Sequence, residues 1–549
     1  MSIKLMMHDP RGFAVWMGDR CSCAARSIAT PAIIGASAFF ADVGGAAGAA
    51  GAPDAADAGA AADVGRTDAV YRPVPLSAEQ ASEDVRILIE TLDRLHAGWG
   101  RYTADEAMRS LLDGLARSVV EGSTDADMFA KINRVLPHLR CDHTLAEPPA
   151  AIETHREVVA THFPFTFRLF DGAMYVDRVS AVAADSLARG DRIDRINGRS
   201  VHTIIREIEP LISVDGWTDD VRGATLEATS ELLGSGIEHH WPFVFGWAGT
   251  WDVEVARRTP GGAWADPRVV RVPAITWPES ISMRTGGDAR YLDFVDGMDF
   301  SLRARAAPAA DEPPVGVLRI DTFVNYRRPV DPREAFAPAF RALAEAGATH
   351  LIIDLRACGG GSTEVPDELL SRLVAVPPAA AARRPWTRGT GPGDLRPHLS
   401  TWDPSVFALP PGLFQDLGNG FQELRMPLDP PPAAHDAANR FDGRLTVLIG
   451  PVNASGATVF AALLDAHRPN VRFVGEPTGG SAEGPTAGTI AFLTLPHSGV
   501  QVRVPLLRSW VNVPHPPAGL GVEPDVLIRP TVADWLAGRD PVLEAALAP

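Results

Sequence analysis

Asn453-Ala454-Ser455-Gly456-Ala457-Thr458-Val459-Phe460-Ala461 follows directly on a short apolar run, Leu445 to Ile449. The run has the length and composition of a strand buried on both faces. It ends, a short turn follows, and Ser455 opens a helical stretch that reaches Ala466. A second buried strand, Leu351 to Leu355, lies upstream and runs into Asp354-Leu355-Arg356-Ala357-Cys358-Gly359-Gly360-Gly361-Ser362-Thr363. Three successive glycines let the backbone turn sharply and aim its N–H groups at a ligand.

Around these two segments the chain alternates strand and helix. Val315 to Ile320 predicts a strand, Pro332 to Ala346 an amphipathic helix, and Val471 to Gly475 another strand. That alternation predicts an α/β core with a largely parallel sheet. The core spans residues 276–549, and its Pro- and Arg-rich stretch 376–442 reads as an insertion covering the core or the site.

Two further regions precede the core. Residues 160–275 are β-rich: Phe163, Phe165, Phe167 and Leu169 alternate as on a half-buried strand, and Tyr175 to Val179 is a second strand. Gly190-Asp191 and Asn197-Gly198 are turns, the latter a strong hairpin signal, and a helix over Ile204 to Leu211 follows. Residues 71–150 read as a small helical domain, with Ser77 and Glu79 as its opening cap. It ends in Arg140-Cys141-Asp142-His143-Thr144.

Residues 1–70 read as a leader and an Ala/Gly/Asp-rich linker. Arg20 and Arg26 precede a short apolar run, Ile28 to Ala41, which fits a secretory signal and a periplasmic or secreted protein. A disordered leader on a cytoplasmic protein is the other reading. No apolar run is long enough for a transmembrane helix. The net charge of -17 argues against nucleic acid and against anionic membranes as partners. Lysine occurs only at Lys4 and Lys131, so nearly all positive charge is arginine. The four cysteines, Cys21, Cys23, Cys141 and Cys358, form no zinc-type pair of CxxC motifs, so no metal site is expected, and no cofactor fingerprint is present.

Taken alone, a serine at a helix start is usually an N-cap worth about 1 kcal/mol. Taken alone, Gly-Gly-Gly is usually a turn. Their order carries more: strand–DLRxxGGG, strand–NASGA–helix, then Val474-Gly475-Glu476-Pro477-Thr478-Gly479-Gly480, then Gly519-Leu520-Gly521-Val522-Glu523-Pro524-Asp525. This series resembles the tail-specific (C-terminal-processing) serine peptidases, a family that includes the tricorn core and interphotoreceptor retinoid-binding protein. The resemblance runs over roughly residues 80–545 and implies a ClpP/crotonase-like spiral core, an N-terminal helical domain and a PDZ-like β-rich domain over 160–275. The segment around Ile193, Ile196 and Asn197-Gly198 is similar to a PDZ hairpin. The resemblance also implies Ser455 as nucleophile, with an oxyanion hole from Gly360 or Gly361 and Gly456. A peptide or protein tail, held by the PDZ-like part, is the implied substrate.

One departure decides the base. The best-known branch of the family places a lysine in a T-x-G-K-G motif, and the matching stretch here is Thr478-Gly479-Gly480-Ser481-Ala482. No lysine follows Lys131, so a lysine base from this region is excluded by composition. A second branch takes a histidine from the helical domain, and His143, in Cys141-Asp142-His143-Thr144, resembles the histidine of its D-x-H-T type motif. A neutral imidazole can take the serine proton and return it to the leaving amine. The third member is open: Glu364, Glu476 and Glu483 are candidates, and a Ser455–His143 dyad is the alternative. Cys141 and Cys358 would flank one site, which raises a disulfide between them, against two free buried thiols. A non-catalytic binding protein for peptides or apolar ligands on the same scaffold stands as the alternative to a serine endopeptidase.

Overall fold

The computed structural model describes residues 70–227, 234–259, 262–285, 293–304, 313–376, 383–425, 439–513 and 518–548. The expected leader, with Cys21 and Cys23, lies outside the described residues. No helix among the described residues is long and apolar enough to cross a membrane.

A six-stranded sheet forms the centre of an α/β fold. Its order is Val526–Leu527, Val471–Gly475, Arg444–Ile449, His350–Asp354, Val315–Ile320 and Met298–Arg303. Neighbours run parallel except the last pair, which is antiparallel. The apolar runs are continuous because both faces are covered. Leu351, Ile353, Leu445 and Val447 join a cluster with Phe336 and Leu343 of the helix Pro332–Glu345 and Phe460 and Leu464 of the helix Ser455–His467. Ile352, Leu448 and Val474 point the other way, against Val542 and Ala546 of the helix Pro541–Leu547. Alternate residues of each strand thus fill two separate cores.

Arg356 of the DLR segment ties these layers together. Its guanidinium makes paired bonds of 2.7 and 2.9 Å to the Asp354 carboxylate and of 2.7 and 2.8 Å to that of Asp540. Asp540 is the N-cap of the last helix. A planar, five-donor cation suits two bidentate carboxylates, and lysine could not replace it.

The helices Ala78–Leu95, Asp105–Ser118 and Asp125–Val135 form the N-terminal region. The first opens with a capping box between Ser77 and Gln80. Their apolar faces (Leu88, Leu92, Met128, Phe129) pack on an antiparallel pair, Ile490–Thr494 and Gln501–Pro505, that comes from the far end of the chain. The β-rich region is an antiparallel sheet in the order Phe165–Phe170, Ala173–Val179, Arg192–Ile196, Thr250–Ala256, Arg268–Pro273. Asn197 and Gly198, at φ +47° and +76°, make the hairpin turn the sequence announces. The helix that follows is Val201–Ile208, three residues earlier than expected, because Ser200 caps it. The insertion also has a defined place. Arg383–Thr387 pairs with Arg508–Val511, and Leu399–Ser400 with Ile490–Thr494, so its described part extends two sheets.

Replacing Arg356 with Ala strands two half-buried carboxylates. We expect Arg356→Ala to destabilise the first unfolding transition in urea by about 1–3 kcal/mol, less than a fully buried pair would lose because solvent screens this one.

Candidate active site

Ser455 does open its helix, but it is not the cap. Ala454 occupies the N-cap position, and no side chain caps that turn. Ser455 itself has φ +48°, a left-handed backbone conformation that a non-glycine residue adopts at a cost of roughly 1–3 kcal/mol. Its hydroxyl is buried and has no hydrogen-bond partner among the described residues. A capping serine would show neither property.

The Gly-rich turn packs directly on this strained corner. Gly360 and Gly361 have φ of +108° and +145°. A Cβ on Gly360 would stand 2.9 Å from the Gly456 nitrogen and 3.1 Å from Ser455 Cβ; one on Gly361 would stand 2.3 Å from the Phe323 carbonyl carbon. The turn is pinned from behind, since Phe323 N–H donates to the Gly360 carbonyl at 2.9 Å and Ser362 N–H to the Phe323 carbonyl at 3.0 Å. Gly456 lies in the first turn of its helix, where N–H groups have no intrahelical partner and the dipole favours negative charge. The three glycines singled out in the sequence therefore meet at Ser455.

Asn453 holds the two loops in register. Its buried amide donates to the carbonyls of Leu355 and Cys358 (the latter at 2.9 Å) and accepts from Gly450 N–H at 2.8 Å. The Thr478–Ala482 stretch also reaches Ser455. Gly480 N–H donates to the Asn453 carbonyl at 2.9 Å, and a Cβ on Gly480 would lie 3.2 Å from the Ser455 nitrogen. That loop carries no basic side chain.

His143 sits in a tight turn, its side chain 10% exposed. Its Nδ1 lies 2.5 Å from Asp142 Oδ1, and because a carboxylate only accepts, the ring donates from Nδ1. The turn is built from buried polar contacts. His96 Nε2 bonds Thr144 Oγ1 at 2.6 Å, Ser213 Oγ donates to the Thr144 carbonyl at 2.9 Å, and Cys141 Sγ donates to the Thr486 carbonyl at 3.4 Å. Burial pushes His96 down to about 3, which keeps it neutral. No hydrogen bond joins Ser455 Oγ to His143.

The acids proposed from sequence go elsewhere. Glu364 accepts from Asn325 Nδ2 at 3.1 Å, Glu476 pairs with Arg529 at 3.2 Å, and Glu483 faces Arg101 at 3.4 Å and the Tyr102 hydroxyl at 3.2 Å. The carboxylate on the imidazole is Asp142, the neighbouring residue, which the sequence reading passed over. Asp215 is a second acid it missed, buried and linked to the Gly480 loop through Ser481 N–H at 3.0 Å. No signal at Asp215 itself could have revealed it, since only the fold brings it here.

Cys141 and Cys358 are both buried and free, so the disulfide is not formed. Burial raises both thiols, Cys358 to about 12. Cys141, Asp142 and His143 do bring one ligand atom each within 4.8 Å of one another. A protonated thiol bonded to a carbonyl and an Nδ1 bonded to a carboxylate are spent on each other and on the backbone, which suits a hydrogen-bonded turn better than a metal centre.

Residues 314–528 match the model of peptidase family S41. No curated protein matches the sequence. Among solved structures, the fold is similar to mature CPAF complexed with lactacystin, at 15% identity and TM-score 0.55, over 83% of this chain and 95% of that one. It is also similar to mature CPAF, at 14% identity and TM-score 0.54, over 83% and 94%. Identity this low establishes a shared fold.

A methyl group on Gly360 collides with the Gly456 nitrogen. We expect Gly360→Ala to keep its circular dichroism and to lose about 100-fold or more in the rate of fluorophosphonate labelling, the scale of losing one oxyanion donor.

Proposed function

We propose that this chain, whose residues 314–528 are a domain of peptidase family S41, is a serine endopeptidase acting on peptides or unstructured protein tails, with Ser455 as nucleophile and His143 as general base. One observation carries the reading: Ser455 holds a strained backbone and a buried, unbonded hydroxyl where a serine's usual capping role is not used. Strain and an orphaned polar atom at one residue are features that persist where a site needs them.

The chemistry follows from the groups present. Ser455 Oγ forms a bond to the scissile carbonyl carbon as its proton passes to His143 Nε2, the ring nitrogen not bonded to Asp142. The carbonyl π pair moves onto oxygen, which the Gly456 N–H and the Gly360–Gly361 turn packed beside Ser455 would hold. The imidazolium then gives its proton to the departing amine nitrogen, the C–N bond breaks, and an acyl-serine remains. Water repeats the sequence with the same base and frees the acid. Asp142 holds the ring in the tautomer this needs and balances the charge of the imidazolium. The β-rich region, PDZ-like in order, would hold the chain end as an added strand. A secreted or periplasmic setting remains part of this proposal.

Fluorophosphonate labelling, with the modified peptide identified by mass spectrometry, tests it. Labelling at Ser455 is expected, with none in Ser455→Ala and a loss of about 100-fold or more in His143→Ala. A folded wild-type protein that takes no label would favour a binding protein on the same scaffold.

A further inference from the structure

We propose that Asp215 is a positioning residue for His143: presented by the loop that follows the helix Val201–Ile208, it clamps the histidine turn to the nucleophile loop and adds a second anion behind Asp142. This rests on the peptidase reading above and extends it to a residue outside the matched domain.

The loop is fastened on both sides. Toward the histidine turn, Gly216 N–H donates to the Arg140 carbonyl at 3.0 Å, Arg140 returns a bond to the Gly216 carbonyl at 3.3 Å, and Ser213 bonds the Thr144 carbonyl. Toward the nucleophile loop, Asp215 Oδ2 accepts from Ser481 N–H at 3.0 Å and Thr218 Oγ1 donates to the Gly479 carbonyl at 2.7 Å. Gly216 has φ +61°, and a Cβ there would stand 2.3 Å from the Gly519 carbonyl oxygen, so the loop is pressed onto a third segment as well. Six residues thus join the two halves of the proposed site.

The second oxygen of Asp215 makes the case for charge. Asp215 is fully buried, and its Oδ1 has no hydrogen-bond partner among the described residues. Leaving a buried carboxylate oxygen unpaired costs about 1–3 kcal/mol or more, so a purely structural clamp would be better served by asparagine. The groups that face it are Arg101 and Tyr102 from the helical region, Cys141, Asp142 and His143 from the turn, and Arg508 from the strand Arg508–Val511. Burial first, then the Asp142 charge, push the Asp215 carboxyl up to about 7, while Arg101 and His143 pull the other way. Coupling is reciprocal: if a protonated His143 favours the Asp215 anion, that anion favours the imidazolium by the same amount. The imidazolium is the form His143 takes when it removes the Ser455 proton.

The probe is a fluorophosphonate, its labelling rate measured from pH 5 to 9 on the full chain. In wild type the rate falls toward acid as His143 is protonated. Asp215→Asn, which keeps the acceptor for Ser481, should lower the plateau by about tenfold. It should also move the half-maximal pH of the acid limb down by about half a unit or more. Asp215→Glu should bring the limb back. A lowered plateau with an unmoved limb would leave only a structural clamp and overturn the proposal, as would a folded Asn variant identical to wild type. Absence of labelling in the wild type overturns the peptidase reading and this one with it. If the Asn variant does not fold, the wild type answers alone. The ¹⁵N imidazole signal of His143, assigned with His143→Gln, should titrate in two steps, and a single step overturns the inference.

Discussion

The site depends on one buried amide. Asn453 bridges the end of the DLR strand to the end of the NASG strand, with its nitrogen on two carbonyls of the first and its oxygen on an N–H of the second. Both strands belong to the same parallel sheet and lie side by side, so their carboxyl ends emerge together. Adjacent emergence alone would leave two loops free to splay. The amide sets their spacing, and the glycines then permit a contact too close for any Cβ. An apolar side chain of the same size would fill the volume and take the partner from the Cys358 carbonyl and the Gly450 N–H in a dry place, while the Leu355 carbonyl would keep only its bond from Cys358 N–H. The polar choice is therefore dictated by the backbone around it.

That spacing explains why the serine can be strained. A left-handed φ persists only where surroundings over-determine it. Ser455 is followed by a helix whose Phe460, Leu463 and Leu464 are fully buried, preceded by the Asn453 bridge, and flanked by Gly360 and Gly480 on either side. Relaxing φ would rotate the first helical turn out of the core. The energy that holds the hydroxyl in place comes from hydrophobic packing a turn or two away.

Much of this was legible beforehand, for reasons that can be named. Strands buried on both faces write themselves as unbroken apolar runs, so Val315–Ile320 and Val471–Gly475 coincide with their runs residue for residue. That the glycines at 360, 361 and 456 come together at Ser455 is legible because close backbone approach at a strand end is a local property. The acids were not. Glu364, Glu476 and Glu483 lie near the right motifs in sequence, yet each is drawn to another partner (Asn325, Arg529, Arg101) that no spacing rule announces. Asp142 was overlooked for the opposite reason, because a neighbour in sequence seldom turns back onto a ring. The pairing of the N-terminal helices with the hairpin Ile490–Thr494/Gln501–Pro505 was equally silent, since amphipathic faces do not name their partners.

The missing lysine bears on how such a site can change its base. The Thr478–Ala482 loop still reaches Ser455, but with Gly480 against the serine nitrogen there is no side chain to take a proton. Its backbone instead anchors two things, the Asn453–Ser455 corner through Gly480 N–H and Asp215 through Ser481 N–H. Through Asp215's loop it is joined to the turn that carries His143. A loop without a basic side chain can thus locate, under the reading proposed above, the element that would supply the base. The serine's geometry is set by the sheet and is indifferent to where the base originates. What must be conserved by physics is the distance between two loops, and hydrogen bonds along the backbone can hold that with glycine as well as with any side chain.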